Sequence, residues 1–363
     1  MLLMVPFARL LMLLCLGLAL AGCERVEPVR LAALMPLGGP AASVGQSLRE
    51  GLELAVDEIN QRGGLNARPI ELTVVDSTAA PGGLEAAYHE VVATDPLLII
   101  AGTSNVAVAL KPLAEADRRL LFGLVATAPA LTENATWSYR YWPLAAAEVP
   151  AMLAGLPPDE NLSLGVAFLD DAYGRSVAEG LAEHVRRRGG RGLMIPFALT
   201  TTDYSDLAQT LGDTDAVAIV AFDAHIRAVL EALEAANYRG RRLASSSGAL
   251  PAMFDHPAAE GLYVAAPAIY NPSFLVSEQT RQTYEARTGK PFDQYAANGV
   301  DFIRLLDGLL VDREVSAVSL KARLADGFAY AGLFGNVSLS AGGHDIEFPL
   351  LAARVEGGRL VYR

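Results

Sequence analysis

The chain has 363 residues, 52% of them hydrophobic and 19% charged, with 41 acidic against 29 basic side chains and a net charge of −12. That is the composition of a well-buried, ordered protein, and its negative surface repels phosphates, which excludes nucleic acid as a partner. Cys15 and Cys23 are the only thiols, too few for a disulfide framework or a thiolate metal site once the leader is removed.

The first segment, Leu10 to Ala21, is an apolar run of about a dozen residues behind Arg9. It is shorter than the ~20 residues needed to span a bilayer, and it ends in Leu20-Ala21-Gly22-Cys23, small residues followed by cysteine. Such a segment is an export leader. Its end resembles a bacterial lipobox, which implies cleavage before Cys23, acylation of the thiol, and a mature chain tethered to a membrane outside the cytosol. Residues 1–22 are therefore expected to be a signal peptide and residues 23–28 a tether. Without the leader, 28 basic and 41 acidic side chains leave a charge of −13. The remaining 340 or so residues exceed one core of ~100 to 200 residues, so two lobes are expected.

Val29-Arg30-Leu31-Ala32-Ala33-Leu34-Met35 is predicted to form a buried strand, and Pro36 to Pro40 the loop after it. Leu48, Leu52, Ala55, Val56 and Ile59 recur at helical steps, and Gly63-Gly64 supplies the left-handed stop. Strands over 70–75, 97–101 and 120–125 alternate with helices over 84–92 and 106–118, the signature of a parallel sheet with crossover helices. The stretch Tyr139-Arg140-Tyr141-Trp142-Pro143 is expected to cross between lobes. A second series follows, with strands over 162–169, 193–197, 216–221 and 242–245 and helices over 175–188, 204–211 and 226–236. Helices over 278–287 and 295–310 are expected to pack back on the first lobe, and strands over 336–339, 348–355 and 359–362 to complete the second.

Parallel sheets bind ligands outside the carboxyl ends of their strands, where loops meet helix amino termini. That rule selects Gly102-Thr103-Ser104-Asn105 and Ala126-Thr127-Ala128-Pro129 in the first lobe. In the second it selects Asp170 to Gly174, Phe222-Asp223-Ala224 and Ser246-Ser247-Gly248. Ser104 and Thr127 are hydroxyl donors suited to a carboxylate, although a serine there also caps a helix and a threonine completes a turn. Tyr173 and Phe222 offer aromatic faces for closing over a ligand, and both are equally at home in a core.

Ala126-Thr127-Ala128-Pro129-Ala130-Leu131-Thr132 resembles the Ala-Thr-Ala-Pro-x-Leu-Thr stretch of the leucine/isoleucine/valine-type periplasmic binding proteins, the receptors of ABC importers. Gly51 to Ile59 with Asn60, Gly63-Gly64-Leu65-Asn66, Tyr173-Gly174 and Gly335-Asn336-Val337 extend the likeness over nearly all of the mature chain. The resemblance implies an α/β, type I periplasmic-binding-protein fold: two doubly wound parallel-sheet lobes joined by three crossings, near residues 143, 267 and 334, around a hinged cleft, with 29–143 and 268–334 in lobe 1 and 144–267 and 335–363 in lobe 2. It also implies roles. Ser104 and Thr127 would hold the ligand carboxylate, Val125 would bind through its main chain, and Tyr173 would cover the ligand. Phe222 stands where a second tyrosine is usual. Ser247 falls where the amino-acid receptors carry the acid that pairs with an α-ammonium, and a buried ammonium without a counter-charge is costly. Either Asp171, Asp223 or Glu148 substitutes, or the ligand is not an α-amino acid. Asp223, beside Phe222 at a strand end, is the best placed of the three; Asp171 also reads as a helix cap.

The expected function is a lipid-anchored periplasmic solute-binding protein that passes an amino acid, or a related organic acid or amide, to an ABC permease and ATPase. It would be a monomer without cofactor, metal or catalytic chemistry. The five histidines show no metal-ligand spacing, Gly102-Thr103-Ser104 lacks the second glycine of a nucleophile elbow, and no phosphate loop is present. The alternative is a lipoprotein regulator or scaffold of the cell envelope. The departure at Ser247 motivates it, and the retention of Ser104, Thr127 and Tyr173 opposes it.

Overall fold

Runs of leucine, isoleucine, valine and alanine too short for helices, each followed by an amphipathic stretch, set the architecture. A computed structural model of the chain describes residues 26–363, except 81, 157–160 and 272–273. The leader and Cys23 lie outside the described residues.

The first sheet has strand order β2-β1-β3-β4-β5, from β1 (Val29–Met35), β2 (Ile70–Asp76), β3 (Leu98–Gly102), β4 (Leu121–Leu124) and β5 (Ser138–Tyr141). All of its pairings are parallel. The connecting helices are α1 (Ala42–Gln61), α2 (Gly83–Val92) and α3 (Ser104–Asp117). With helices on both faces, β3 and β4 are buried at every residue, as parallel central strands require. The aromatic stretch expected to be a crossing begins as strand β5. Tyr139 stacks on Phe122 at 5.4 Å, Tyr141 is fully buried, and the chain leaves this sheet only after them.

The second sheet has order β14-β13-β10-β9-β8-β6-β7. Its strands are β6 (Ser163–Leu169), β7 (Arg191–Phe197), β8 (Ala216–Val220), β9 (Arg241–Ala244), β10 (Tyr263–Pro267), β13 (Leu350–Glu356) and β14 (Arg359–Tyr362). The helices α4 (Ala145–Leu153), α5 (Ala172–Arg187), α6 (Ser205–Leu211) and α7 (Asp223–Ala235) belong to it. β13 and β14 run antiparallel at one edge, and the rest is parallel.

After β10 the chain returns through α8 (Leu275–Thr288) and α9 (Gln294–Leu310). α9 lies against α1 so closely that a Cβ on Gly51 would stand 2.1 Å from the Ala296 carbonyl oxygen, and one on Gly299 would stand 2.6 Å from that of Leu48. This is the expected return of the long helices to the first lobe.

The third crossing differs from expectation. After α10 (Ala317–Ala325), β11 (Phe328–Gly332) and β12 (Gly335–Leu339) form a hairpin of their own. Only Leu333 and Phe334 join them, and so short a turn keeps both strands on the same side. Asp301 of α9 accepts from Leu333 N at 2.8 Å and from the Tyr330 hydroxyl at 3.1 Å, holding the hairpin to the first lobe. The chain then runs beside β5, where Arg140 N donates to His344 O and Ile346 N to Arg140 O, at 2.9 and 3.2 Å. Residues 335–346, expected with the second lobe, are thus bonded to the first, and entry into the second sheet comes at Leu350. Among the described residues no helix is long and apolar enough to cross a membrane.

Candidate ligand-binding cleft

The carboxyl ends of the two sheets face one another, as strand direction dictates. Between them is about 380 Å³ of space not filled by atoms, counted with adjoining solvent. The first lobe contributes Thr103, Ser104, Asn105, Val125, Thr127 and Trp142. The second contributes Asp171, Tyr173, Phe222, Ser246 and Ser247, and Tyr295 reaches in from α9. Of the seven expected ligand-binding residues, the structure brings together Ser104, Val125, Thr127, Tyr173, Phe222 and Ser247. Asp223 is not in the lining.

The first wall is polar and held rigidly. Ser104 opens α3 and is 2% exposed. Its Oγ accepts from Thr127 N at 3.0 Å and Ala128 N at 3.2 Å, so its own hydrogen remains to be donated elsewhere. Thr127 Oγ1, also in a 2% exposed residue, makes no hydrogen bond among the described residues. Two β-branched residues beside these hydroxyls have left-handed backbones, Thr103 at φ 81° and Val125 at φ 53°. Such angles are outliers for side chains of this shape, and strain of this kind collects where a fold must aim particular groups. Arg140, fully buried, braces the same loop from behind. Its guanidinium donates to the carbonyls of Ala126 and Ala128, to Thr132 Oγ1 at 3.0 Å, and to Asp345 at 2.8 Å. Burial presses its pKa down, and the Asp345 partner opposes this.

The second wall is aromatic, and its polar groups are mostly committed. Tyr173 and Phe222 are each 9% exposed, and the Tyr173 hydroxyl makes no hydrogen bond of normal geometry, although Ser245 is its neighbour. Asp171 caps α5 by accepting from Gly174 N at 2.7 Å, and across the cleft it accepts from Asn105 Nδ2 at 3.3 Å. Burial raises its pKa. Ser247 Oγ lies 2.8 Å from the Tyr295 hydroxyl, so a pair of hydroxyls occupies the position where the resemblance implies an acid in the amino-acid receptors.

The two other candidate acids lie outside the lining. Glu148 is completely buried, with its oxygens taken by Ser246 N at 3.0 Å and Ser246 Oγ at 3.2 Å, and burial pushes its pKa up to about 7. Asp223, the best-placed candidate by sequence, turns along its own helix to Arg227 at 3.6 Å. A basic residue one helical turn on is the nearest opposite charge, and that local attraction wins.

A family model described as periplasmic binding protein matches residues 28–359. The chain belongs to the periplasmic binding protein family. The chemotactic signal transduction system substrate-binding protein BasB of Halobacterium salinarum is 27% identical over 292 residues, covering 76% of this chain and 68% of that protein. Leu/Ile/Val-binding protein homolog 8 of Brucella abortus is 28% identical over 229 residues, covering 58% of this chain and 56% of that relative's length. A solute-binding protein of an ABC transporter from R. palustris, solved in complex with benzoate, superposes with a TM-score of 0.81 at 21% identity, over 93% of this chain and 95% of that one. The expected type I fold is therefore the observed one, and among the relatives of this periplasmic binding protein are Leu/Ile/Val-binding protein homologues. The solved structures it resembles include solute-binding proteins of ABC transporters.

Three features of this periplasmic binding protein escape a reading of the sequence. Trp142 and Tyr295 enter the cleft from a crossing and from a helix expected only to pack, and Arg140 appears as one residue in an aromatic run. Only Tyr295 left a signal. Asp293 caps α9, accepting from Tyr295 N at 2.9 Å and Ala296 N at 2.8 Å, and an aspartate two residues ahead is a helix-start pattern.

Proposed function

We propose that this periplasmic binding protein is a lipid-anchored receptor that captures a small carboxylate-bearing solute between its lobes and delivers it to an ABC permease. The observation that carries the reading is the buried hydroxyl pair Ser104 and Thr127 at the amino terminus of α3. One hydroxyl has a hydrogen to spare and the other has no partner among the described residues. Helix amino termini favour anions, and hydroxyl donors hold a carboxylate without a cation. Val125 adds main-chain groups aimed by its left-handed backbone, and Tyr173 and Phe222 cover the ligand from the other lobe. Ser247 and Asp223 bound the second-lobe side, Ser247 in the lining and Asp223 behind it.

The anchor is the acylated Cys23. A tether confines the receptor to the membrane surface and raises its effective concentration at the permease. Labelled palmitate is incorporated by the wild type and not by Cys23→Ser; labelling of both rejects the anchor. The ligand reading is tested by thermal unfolding against carboxylates, amino acids, amides and sugars. A ligand at ~100 times its Kd adds ~2.7 kcal/mol, and the shift is expected from carboxylates only.

The relationship to BasB supports a second reading, in which the loaded receptor reports to a signalling partner in place of a permease. Uptake of the labelled ligand by a deletion strain separates the two. Lost uptake supports transport, and normal uptake with lost chemotaxis supports signalling.

A further inference from the structure

The binding space does not end at the inner cleft. A second cavity of about 900 Å³, counted with adjoining solvent, adjoins it and shares Thr103, Asn105, Asp171 and Phe222 as walls. Its other walls are largely apolar, among them Pro36, Leu84, Val106, Leu169 and Leu199. Leu199 is 37% exposed. The two cavities meet at these four residues, where Asn105 bonds to Asp171, and taken as one channel they offer hydroxyls at the inner end and, apart from Ser77, Thr78 and Asp170, hydrocarbon along the outer part.

The charges of this channel are nearly all committed. Asp171 is the one carboxylate lining the inner part, and both of its oxygens already accept, from Gly174 N and from Asn105, at the positive end of α5. Glu148 is buried behind Ser246 and bonded to it. Ser247 and Tyr295 share one hydrogen bond, and neither carries a charge. Asp170, on the outer wall, is paired with Arg175, and Asp223, behind the lining, with Arg227 at 3.6 Å, so an ammonium brought here would have to take an acid from an existing partner, and burying an uncompensated charge is strongly unfavourable. Among the described residues no lysine, arginine or histidine lines either cavity, so a second anionic group would be equally uncompensated.

We infer that the ligand is a monocarboxylate with an uncharged, extended body, its head at Ser104 and Thr127 and its tail running past Asn105 and Phe222 into the outer cavity. This rests on the carboxylate reading above and narrows it to acids without an α-ammonium. The apolar tail is held by removal of its surface from water, which grows with each methylene.

The test is calorimetric titration of the purified protein with isosteric pairs and a length series. The pairs are phenylalanine with 3-phenylpropanoate and leucine with 4-methylpentanoate; the series runs from butanoate to decanoate. At least one deaminated acid is expected to bind tenfold or more tighter than its amino acid, and affinity is expected to rise along the series. Leu199→Asp should weaken octanoate fivefold or more while leaving butanoate unchanged, and the unchanged butanoate affinity reports an intact fold. Leu199→Gln should fall between. Amino acids binding as tightly as their deaminated partners, or an affinity flat with length and indifferent to Leu199→Asp, overturns the inference and leaves the carboxylate reading standing. If no carboxylate of either kind binds while an amide or sugar does, the carboxylate reading falls and the inference with it.

Discussion

The two walls of the cleft are built on opposite plans. The first-lobe wall consists of small hydroxyls on strained backbone, with one hydrogen free at Ser104, no partner at Thr127, and a buried arginine bracing the loop behind them. The second-lobe wall is aromatic, and its polar atoms are largely spent on one another or on the far wall. A wall that keeps its donors unspent is prepared for a charged group in one fixed place. A wall that spends them presents apolar surface, suited to covering whatever the first wall holds.

The largest expected effect tests how far the first wall depends on Arg140. Arg140→Ala removes a fully buried cation that serves two loop carbonyls, Thr132 and Asp345, and should lower unfolding stability by about 3 to 5 kcal/mol. A urea midpoint close to wild type would show that the loop is held by other contacts. The next concerns the second wall. Glu148 has a folded pKa of about 7 against an ordinary 4.5, so stability present below 4.5 is lost as pH rises through 7. Glu148→Gln removes that loss and should gain on the order of 3 kcal/mol over wild type at pH 8, with a smaller slope left by Asp293, whose pKa burial raises to about 6. Parallel stability curves for the two proteins would exclude Glu148 as the source.

Ser104 and Thr127 sharpen the contrast within one wall. Each change to alanine should weaken a carboxylate ligand by about 1 to 3 kcal/mol. Ser104→Ala should also destabilise the free protein, because Thr127 N and Ala128 N lose their acceptor. Thr127→Ala should leave stability level or slightly higher, since its hydroxyl has no partner to lose. Equal stability losses in both would mean that the two hydroxyls do the same structural work. The smallest effect is expected at the bridge between walls: Asn105→Ala breaks the contact to Asp171 and should cost about 0.5 to 1.5 kcal/mol of ligand affinity without moving the unfolding midpoint.

Much of this protein was readable before its structure. The strand and helix runs of both lobes follow hydrophobic periodicity, and the binding loops follow from strand direction, so Ser104, Thr127, Tyr173, Phe222 and Ser247 were placed by local rules, while Val125 came from the resemblance to the family. Asp223 failed because its partner Arg227 lies one turn along the same helix, and an ion pair already made locally leaves no acid for the cleft. The third crossing failed because β12 reads as a strand whichever sheet it joins, and only pairing with β11 and the tie to Asp301 assign it.

By itself the sequence determined the alternation of elements, the family and the hydroxyls of the first wall, since each is written in short spacings. Tertiary structure alone decided that Tyr295 meets Ser247, that Arg140 braces the loop carrying Thr127, and that the inner cleft opens into an apolar outer cavity. These contacts join residues far apart in the chain, and no local periodicity encodes which distant side chain will arrive to satisfy a buried polar group.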